Sequence, residues 1–324
     1  MSLSNLRVNP MKLSVLLLLL AASSGAWAAP RIFVTNEEDN SVSVIDGATN
    51  QVTATVDVGK RPRGIGLSAD GKEIFVAVSG ENQIAVLDPE TLKVVRRFDS
   101  GTDPETFAVH PNGNLYVSNE ENAKASVFNP KTGELVTEIK VGLEPEGVAV
   151  SPDGSRAIVT SESTNMLHLI AIPEHKPVAN ILVGARPRSA SFSRDGKTAY
   201  STSEISGEVK KIDVASAKIL AKMPLADDKA KPKDILPSRD GKRLFVAGGR
   251  ANRIFVLDEA SLAIQREIPV GNRVWGLALN KSGTRLYTTD GASHQVSVID
   301  TTTDKVVATV PVGKMPWGIV VYEP

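Results

Sequence analysis

Seven short segments hold the side chains best suited to chemistry: RPRG from Arg61, DPET from Asp103, EPEG from Glu144, RPRS from Arg186, KPKD from Lys231, RVWG from Arg273 and MPWG from Met315. The third position of each offers a large functional group: Arg63, Glu105, Glu146, Arg188, Lys233, Trp275 and Trp317. Two indoles beside Arg63 and Arg273 can stack a planar anionic ligand, because a π face and a guanidinium attract the same kind of molecule from two sides. The same indoles can simply plug an opening. Glu105 and Glu146 can hold a cation, or they can neutralise the arginines facing them. In an enzyme, Glu105, Glu146 or His294 would act as acid or base near Arg63 or Arg188.

These segments form one site only if the chain brings them together, and internal repetition supplies the means. A turn dipeptide recurs at Asp70-Gly71, Asn112-Gly113, Asp153-Gly154, Asp195-Gly196, Asp240-Gly241 and Ser282-Gly283. The spacing of about 42 residues fits a four-stranded propeller blade. After each marker comes a β-branched or aromatic run with a bulky residue in register: Phe75, Tyr116, Ile158, Tyr200, Phe245 and Tyr287, with Phe33 opening the series. These read as strands whose bulky residue fills the space between neighbouring blades. A second strand closes on Asp46, Asp88, Asn129, Asp213, Asp258 or Asp300. Six of seven units carry such a residue at one register position, so we read it as a turn former, not as a catalytic or metal-binding carboxylate. Unit four departs from the pattern with Ile172 in "IAIPEHKP", and unit five carries Lys210 and Lys211 in a strand and an insertion in "ADDKAKPKD".

Seven units of four short antiparallel strands, each apolar on both faces, must stack side by side, and radial stacking closes a ring. The two ends share a phrase, "NSVSVIDGATNQVTATVDVGKRPRG" from Asn40 and "HQVSVIDTTTDKVVATVPVGKMPWG" from His294. The chain is therefore expected to be an all-β seven-bladed propeller in which the C-terminal strand near Trp317–Tyr322 completes the sheet begun at Arg31–Asn36. Ring symmetry then gathers the seven segments around the channel mouth. The companion loops on that face (NEEDN, GEN, NEEN, SEST, SEIS, GGRAN, DGASH) are mostly acidic and read as a solvating rim.

Residues 1–28 are expected to be a cleaved secretory signal, with Met11 as the natural start. "MKLSVLLLLLAASSGAWA" has a charged beginning, an apolar run too short for a membrane span, and an Ala-Trp-Ala ending. Residues 29–324 would then form a single periplasmic domain without a membrane span. The chain has 37 basic and 37 acidic side chains, and losing Arg7 and Lys12 leaves a balance of −2. Nothing in this favours nucleic acid as a partner. With no cysteine there is no disulfide, thiolate metal site or covalently attached haem, and the histidines (His110, His168, His175, His294) fall in different units. Neither a metal nor a resident cofactor is expected. No nucleophile elbow, P-loop or dinucleotide fingerprint is present.

The runs FVTN at Phe33–Asn36, YVSN at Tyr116–Asn119 and YTTD at Tyr287–Asp290, with SVSVID, PEGVAVSPDG and VATVPVGKMPWG, resemble the YVTN-type β-propeller repeat family over essentially the whole mature chain. Size, signal segment and repeat count are most similar to periplasmic propellers associated with pyrroloquinoline quinone (PQQ)-dependent alcohol catabolism. That resemblance implies a noncatalytic protein that binds a small anionic or planar ligand or a protein partner at the mouth, the partner being a quinoprotein dehydrogenase or a transport component. The repeat is shared with lactonase-like propellers, which implies the alternative of a hydrolase or isomerase using carboxylates at the channel mouth.

Overall fold

In the computed structural model, residues 29–225 and 227–324 are described; the proposed signal segment lies outside them. They form seven separate four-stranded antiparallel sheets, each hydrogen-bonded in the order inner strand, then three strands stepping outward. The inner strands are Pro62–Leu67, Pro104–Val109, Pro145–Val150, Pro187–Phe192, Ile235–Pro237, Val274–Leu279 and Pro316–Tyr322. Blade 1 is the composite one: Ile32 pairs with Val321 and Val34 with Ile319. The last strand therefore supplies the hub-side member of the first sheet, and the junction exposes no unpaired edge. Among the described residues no helix is long and apolar enough to cross a membrane.

The residues aligned in the repeat behave as their positions require. Phe33, Phe75, Tyr116, Ile158, Tyr200, Phe245 and Tyr287 are all essentially inaccessible to solvent. They lie in clusters that span two blades; one joins Phe33, Val42 and Val44 of blade 1 to Ile74, Val76 and Leu87 of blade 2. Asp46, Asp88, Asp258 and Asp300 each accept backbone amides two or three residues on, as turn formers do.

The hub follows a rule that repeat alignment did not reveal. In six blades the inner strand is bulged, so that two residues face one on the neighbouring strand: Arg63-Gly64, Glu105-Thr106, Glu146-Gly147, Arg188-Ser189, Trp275-Gly276 and Trp317-Gly318. A bulge leaves an amide without its ladder partner and re-aims a side chain. The hydroxyl opposite takes that amide: Thr35, Ser118, Thr160, Thr202 and Thr289 accept from Gly318, Thr106, Gly147, Ser189 and Gly276 at 2.8–3.2 Å. The same oxygens reach the carbonyl of the next blade's mouth residue, as Thr289 does with Trp317 (2.7 Å) and Thr202 with Lys233 (2.8 Å). This accounts for the hydroxyl residue within the YVTN-like runs. Glycine follows the mouth residue where blades come closest: a Cβ on Gly147 would lie 2.5 Å from the Arg188 carbonyl, and one on Gly318 2.5 Å from that of Arg63.

Blade 2 keeps the bulge but has Ala77 opposite it in place of a hydroxyl, and blade 6 departs further. Its inner strand has only three residues and no bulge, and Ala247 stands where the hydroxyl would be. Asp234 substitutes for it, accepting the Leu277 amide (3.0 Å), the Ile235 amide (2.8 Å) and the Ser189 hydroxyl (2.9 Å).

Replacing Thr289 with valine keeps the volume and leaves the buried Gly276 amide and Trp317 carbonyl without a partner. Urea unfolding should show a loss of about 1–3 kcal/mol. A Thr289→Val variant as stable as the parent would remove the hydroxyl bridge from the account of ring cohesion.

Candidate functional site

The bulges turn Arg63, Glu105, Glu146, Arg188, Trp275 and Trp317 toward the axis, and Lys233 joins them from the loop before the unbulged inner strand of blade 6, so the seven converge at one end of the channel. Glu105, Glu146, Arg188, Lys233 and Trp275 are buried, and Arg63 and Trp317 partly so. Arg273, two residues before Trp275, stays exposed and covers its indole from above, its guanidinium 5.0 Å from the ring centre. Beneath the ring the channel opens into a cavity of about 280 Å³, lined by Glu146, Arg188, Lys233, Asp234, Trp275 and Trp317 among others.

The companion loops are a correction. They read as a solvating rim, yet Glu162 is buried and Glu37 and Glu204 are largely covered, because the ring arginines reach outward to them. Arg63 bonds Glu105 and sits 2.9 Å from Glu37. Arg188 bonds Glu162, lies 2.8 Å from Glu146 and approaches Glu204 at 3.7 Å. Lys233 reaches Glu204 at 2.6 Å. The neutralising role of Glu105 and Glu146 is thus the one the geometry displays. The sequence did contain a signal for the missed glutamates: Glu37, Glu120, Glu162 and Glu204 each directly follow the second strand of a blade.

Above this layer Arg61, Asp103, Glu144, Arg186, Arg273 and Met315 all adopt a left-handed backbone conformation, φ 46–59°. The conformation is uncommon for non-glycine residues. In most of these loops the amide is held by the end of a neighbouring turn, as Asn40 holds Arg61 (3.0 Å), Asn165 holds Arg186 (3.0 Å) and Asn252 holds Arg273 (2.9 Å). His294 occupies the same place, its Nδ1 accepting the Met315 amide at 3.1 Å, so its ring serves the loop and does not enter the channel cluster. Asp103, Glu105 and Glu120 bring carboxylate oxygens within 4.8 Å, close enough to share a proton or a cation. Arg61 meets that demand, bonding Asp103 at 3.1 Å and lying 3.7 Å from Glu105.

The tryptophans form the other half of the mouth. Their ring centres are 5.8 Å apart at an interplanar angle of 34°. Arg188 lies 5.1 Å and Lys233 Nζ 4.2 Å from the Trp275 ring, with Arg63 5.9 Å from Trp317. The Arg188 and Lys233 contacts extend what adjacency of the two indoles suggested. Neither indole Nε1 has a hydrogen-bond acceptor among the described residues, although both atoms are buried. Trp275 fits because Gly291 lies under its pyrrole edge; a Cβ there would be 3.1 Å from Cδ1.

Crowding these charges perturbs them. Burial, then the Glu146 carboxylate, pushes Glu162 up to about 7 against the pull of Arg188 and Arg186. Burial and Glu146 raise Glu105 well above the usual carboxylate range, with Arg63 opposing. Burial, then Arg188, brings Lys233 down to about 7 despite Glu204. Burial would raise Glu204 as well, but Lys233 and the two arginines together hold it low. A proton donor and an amine that titrate near neutrality thus share one mouth.

The fold and this mouth define a seven-bladed propeller with a charged, tryptophan-lined axial pocket. The family model "Lactonase, 7-bladed beta-propeller" matches residues 148–310, just over half of the chain, and the chain belongs to that family. The model "YNCE-like beta-propeller" matches residues 9–126. No curated protein matches. Similar solved structures include a functionally unknown protein from Desulfotomaculum acetoxidans (TM-score 0.80, 17% identity, 91% of this chain and 99% of that one). Kuenenia stuttgartiensis hydrazine synthase aligns with TM-score 0.71 and 23% identity over 80% of this chain and 89% of that one. The dihydro-heme d1 dehydrogenase NirN, in complex with DHE, aligns with TM-score 0.68 and 16% identity over 89% of this chain and 74% of that one. At these identities the likeness concerns the fold.

The shifted groups give stability a pH signature. Folded Glu162 keeps a proton that the unfolded chain loses above about 4.5, so its contribution makes stability fall as pH rises from about 5 to 7. Folded Lys233 lacks a proton that the unfolded chain keeps up to about 10, so its contribution makes stability rise from about pH 7 to 10. Each slope is at most about 1.4 kcal/mol per pH unit. Urea unfolding across this range should show Glu162→Gln flattening the first limb, with Glu105 retaining part of it, and Lys233→Met flattening the second. Unchanged slopes would contradict the assignments.

Proposed function

We propose that the chain acts as a noncatalytic periplasmic binding protein that holds a small planar anion at the channel mouth, in the service of a quinone-dependent alcohol-oxidation system. One observation carries the binding: two adjacent indoles, each with a buried N–H that has no acceptor among the described residues, stand among Arg63, Arg188, Lys233 and Arg273 over a cavity of about 280 Å³. A flat ligand bearing carboxylates would stack on the rings, give the N–H groups their oxygens and pair with the exposed Arg273 guanidinium over Trp275. PQQ, a flat tricarboxylated quinone, has this chemistry, and the narrower resemblance in size, signal segment and repeat count favours the same system. A quinoprotein dehydrogenase or a transport component would be the partner that delivers or receives the ligand.

A second reading, a lactonase-like hydrolase or isomerase, is favoured by the family match and by Glu162 and Glu105 lying beside Arg188 and Arg63. In that case the raised carboxyls would act as acids while a guanidinium stabilises the developing oxyanion.

Thermal-shift and tryptophan-fluorescence titrations with PQQ and with terephthalate should show saturable binding. Trp317→Ala should weaken it at least about tenfold, or 1.4 kcal/mol. No response to either compound would defeat the small-ligand reading. Turnover of a lactone panel that is lost in Glu162→Gln would replace the binding reading with the hydrolase.

A further inference from the structure

Lys233 is the residue this binding reading leaves underused. The other cations of the mouth, Arg61, Arg63, Arg186, Arg188 and Arg273, are guanidiniums, permanently charged and not nucleophilic. Lys233 instead presents a primary amine, buried, on the wall of the axial cavity and 4.2 Å from the Trp275 ring. Its neighbours are those that activate an amine: a low-dielectric wall and a nearby cation, Arg188, which stacks on the same indole at 5.1 Å. A proton carrier is also in place. Glu204 Oε1 lies 2.6 Å from Nζ, while its buried Oε2 has no hydrogen-bond partner among the described residues, Arg186 and Arg188 standing off at 3.5 and 3.7 Å.

We infer that the mouth captures carbonyl compounds covalently: Lys233 forms a reversible imine with a small planar aldehyde or ketone that also bears a carboxylate. This rests on the ligand-binding reading and names the ligand class. The ammonium first gives a proton to Glu204. The free amine attacks the carbonyl carbon; a C–N bond forms, the carbonyl π pair moves to oxygen, and a proton passes from nitrogen to that oxygen. Glu204 then returns its proton to the hydroxyl, the C–O bond breaks and water leaves. The product is a protonated imine, carrying one positive charge as the ammonium did. It keeps both the Glu204 pairing and the contact with Trp275, and the ligand's carboxylate meets Arg188 or Arg273. Lowered amine basicity, through burial and Arg188, favours the attacking form near neutral pH.

The test uses 4-carboxybenzaldehyde with sodium cyanoborohydride, which reduces the protonated imine to a stable secondary amine, followed by peptide mapping. The expected result on the unmodified protein is one dominant adduct, on Lys233, formed at least about tenfold faster than on the exposed lysines, and suppressed by excess terephthalate, which has the same shape but no aldehyde. Lys233→Arg should lose the adduct, whereas Lys93→Arg, on an exposed outer strand, should keep it. Labelling spread over surface lysines without preference for Lys233, or no labelling, overturns the imine. If terephthalate still binds in a Trp317-dependent way in that case, the pocket stands as a noncovalent site; if it does not, the binding reading fails too.

Discussion

Seven sheets share one axis, and at four of the seven hub junctions their inner strands come closer than a side chain permits; most features of this molecule follow from how that approach is made. At Gly64, Gly147, Gly276 and Gly318 the backbone of one blade meets the carbonyl of the next where a Cβ would collide. The bulge that allows the approach leaves an amide without its partner, and in five blades a threonine or serine hydroxyl both takes that amide and reaches toward the neighbouring blade. One oxygen thus completes a sheet and couples it to the next. Without it, the hub would bury unpaired backbone groups.

The bulge is also what makes a site. In six blades it turns one side chain toward the axis, and with Lys233 from the blade 6 loop the ring makes a crowded mouth where arginines, a lysine and several glutamates are desolvated together. Removing such charges from water is costly unless each is paired with good geometry. Arg63 with Glu37 and Glu105, and Arg188 with Glu146 and Glu162, meet that demand. Lys233 and the tryptophan pair meet it least completely: the amine titrates near neutrality and two indole N–H groups have no acceptor among the described residues. Structure that leaves polar groups short of partners in a concave, rigid place is structure suited to a ligand.

The irregular arc coincides with that incomplete side. Blade 6 has the shortest inner strand, lacks the bulge and replaces the hydroxyl with Ala247, while the segment before it carries the insertion that delivers Lys233. Asp234, next in the chain, repairs the hub by accepting the Leu277 amide. The departure from the repeat therefore reshapes the mouth at the point where the amine enters, and a neighbouring side chain restores the cohesion lost there.

The sequence by itself determined the ring. Period, turn residues and the register of Phe33 through Tyr287 are local patterns, and a chain that begins with a second strand and ends with a first one has a single way to pair them. It also determined which residues would face the axis, since equivalent positions in a rotationally repeated unit must meet. Tertiary structure alone decided their electrical state. Glu162 looks like any exposed loop glutamate until closure places Arg188 against it and excludes water, and Lys233 looks like any other cation of the mouth until burial beside Trp275 and Arg188 lowers its basicity. Ionisation depends on neighbours far apart in the chain and on the solvent they displace. Linear order records neither.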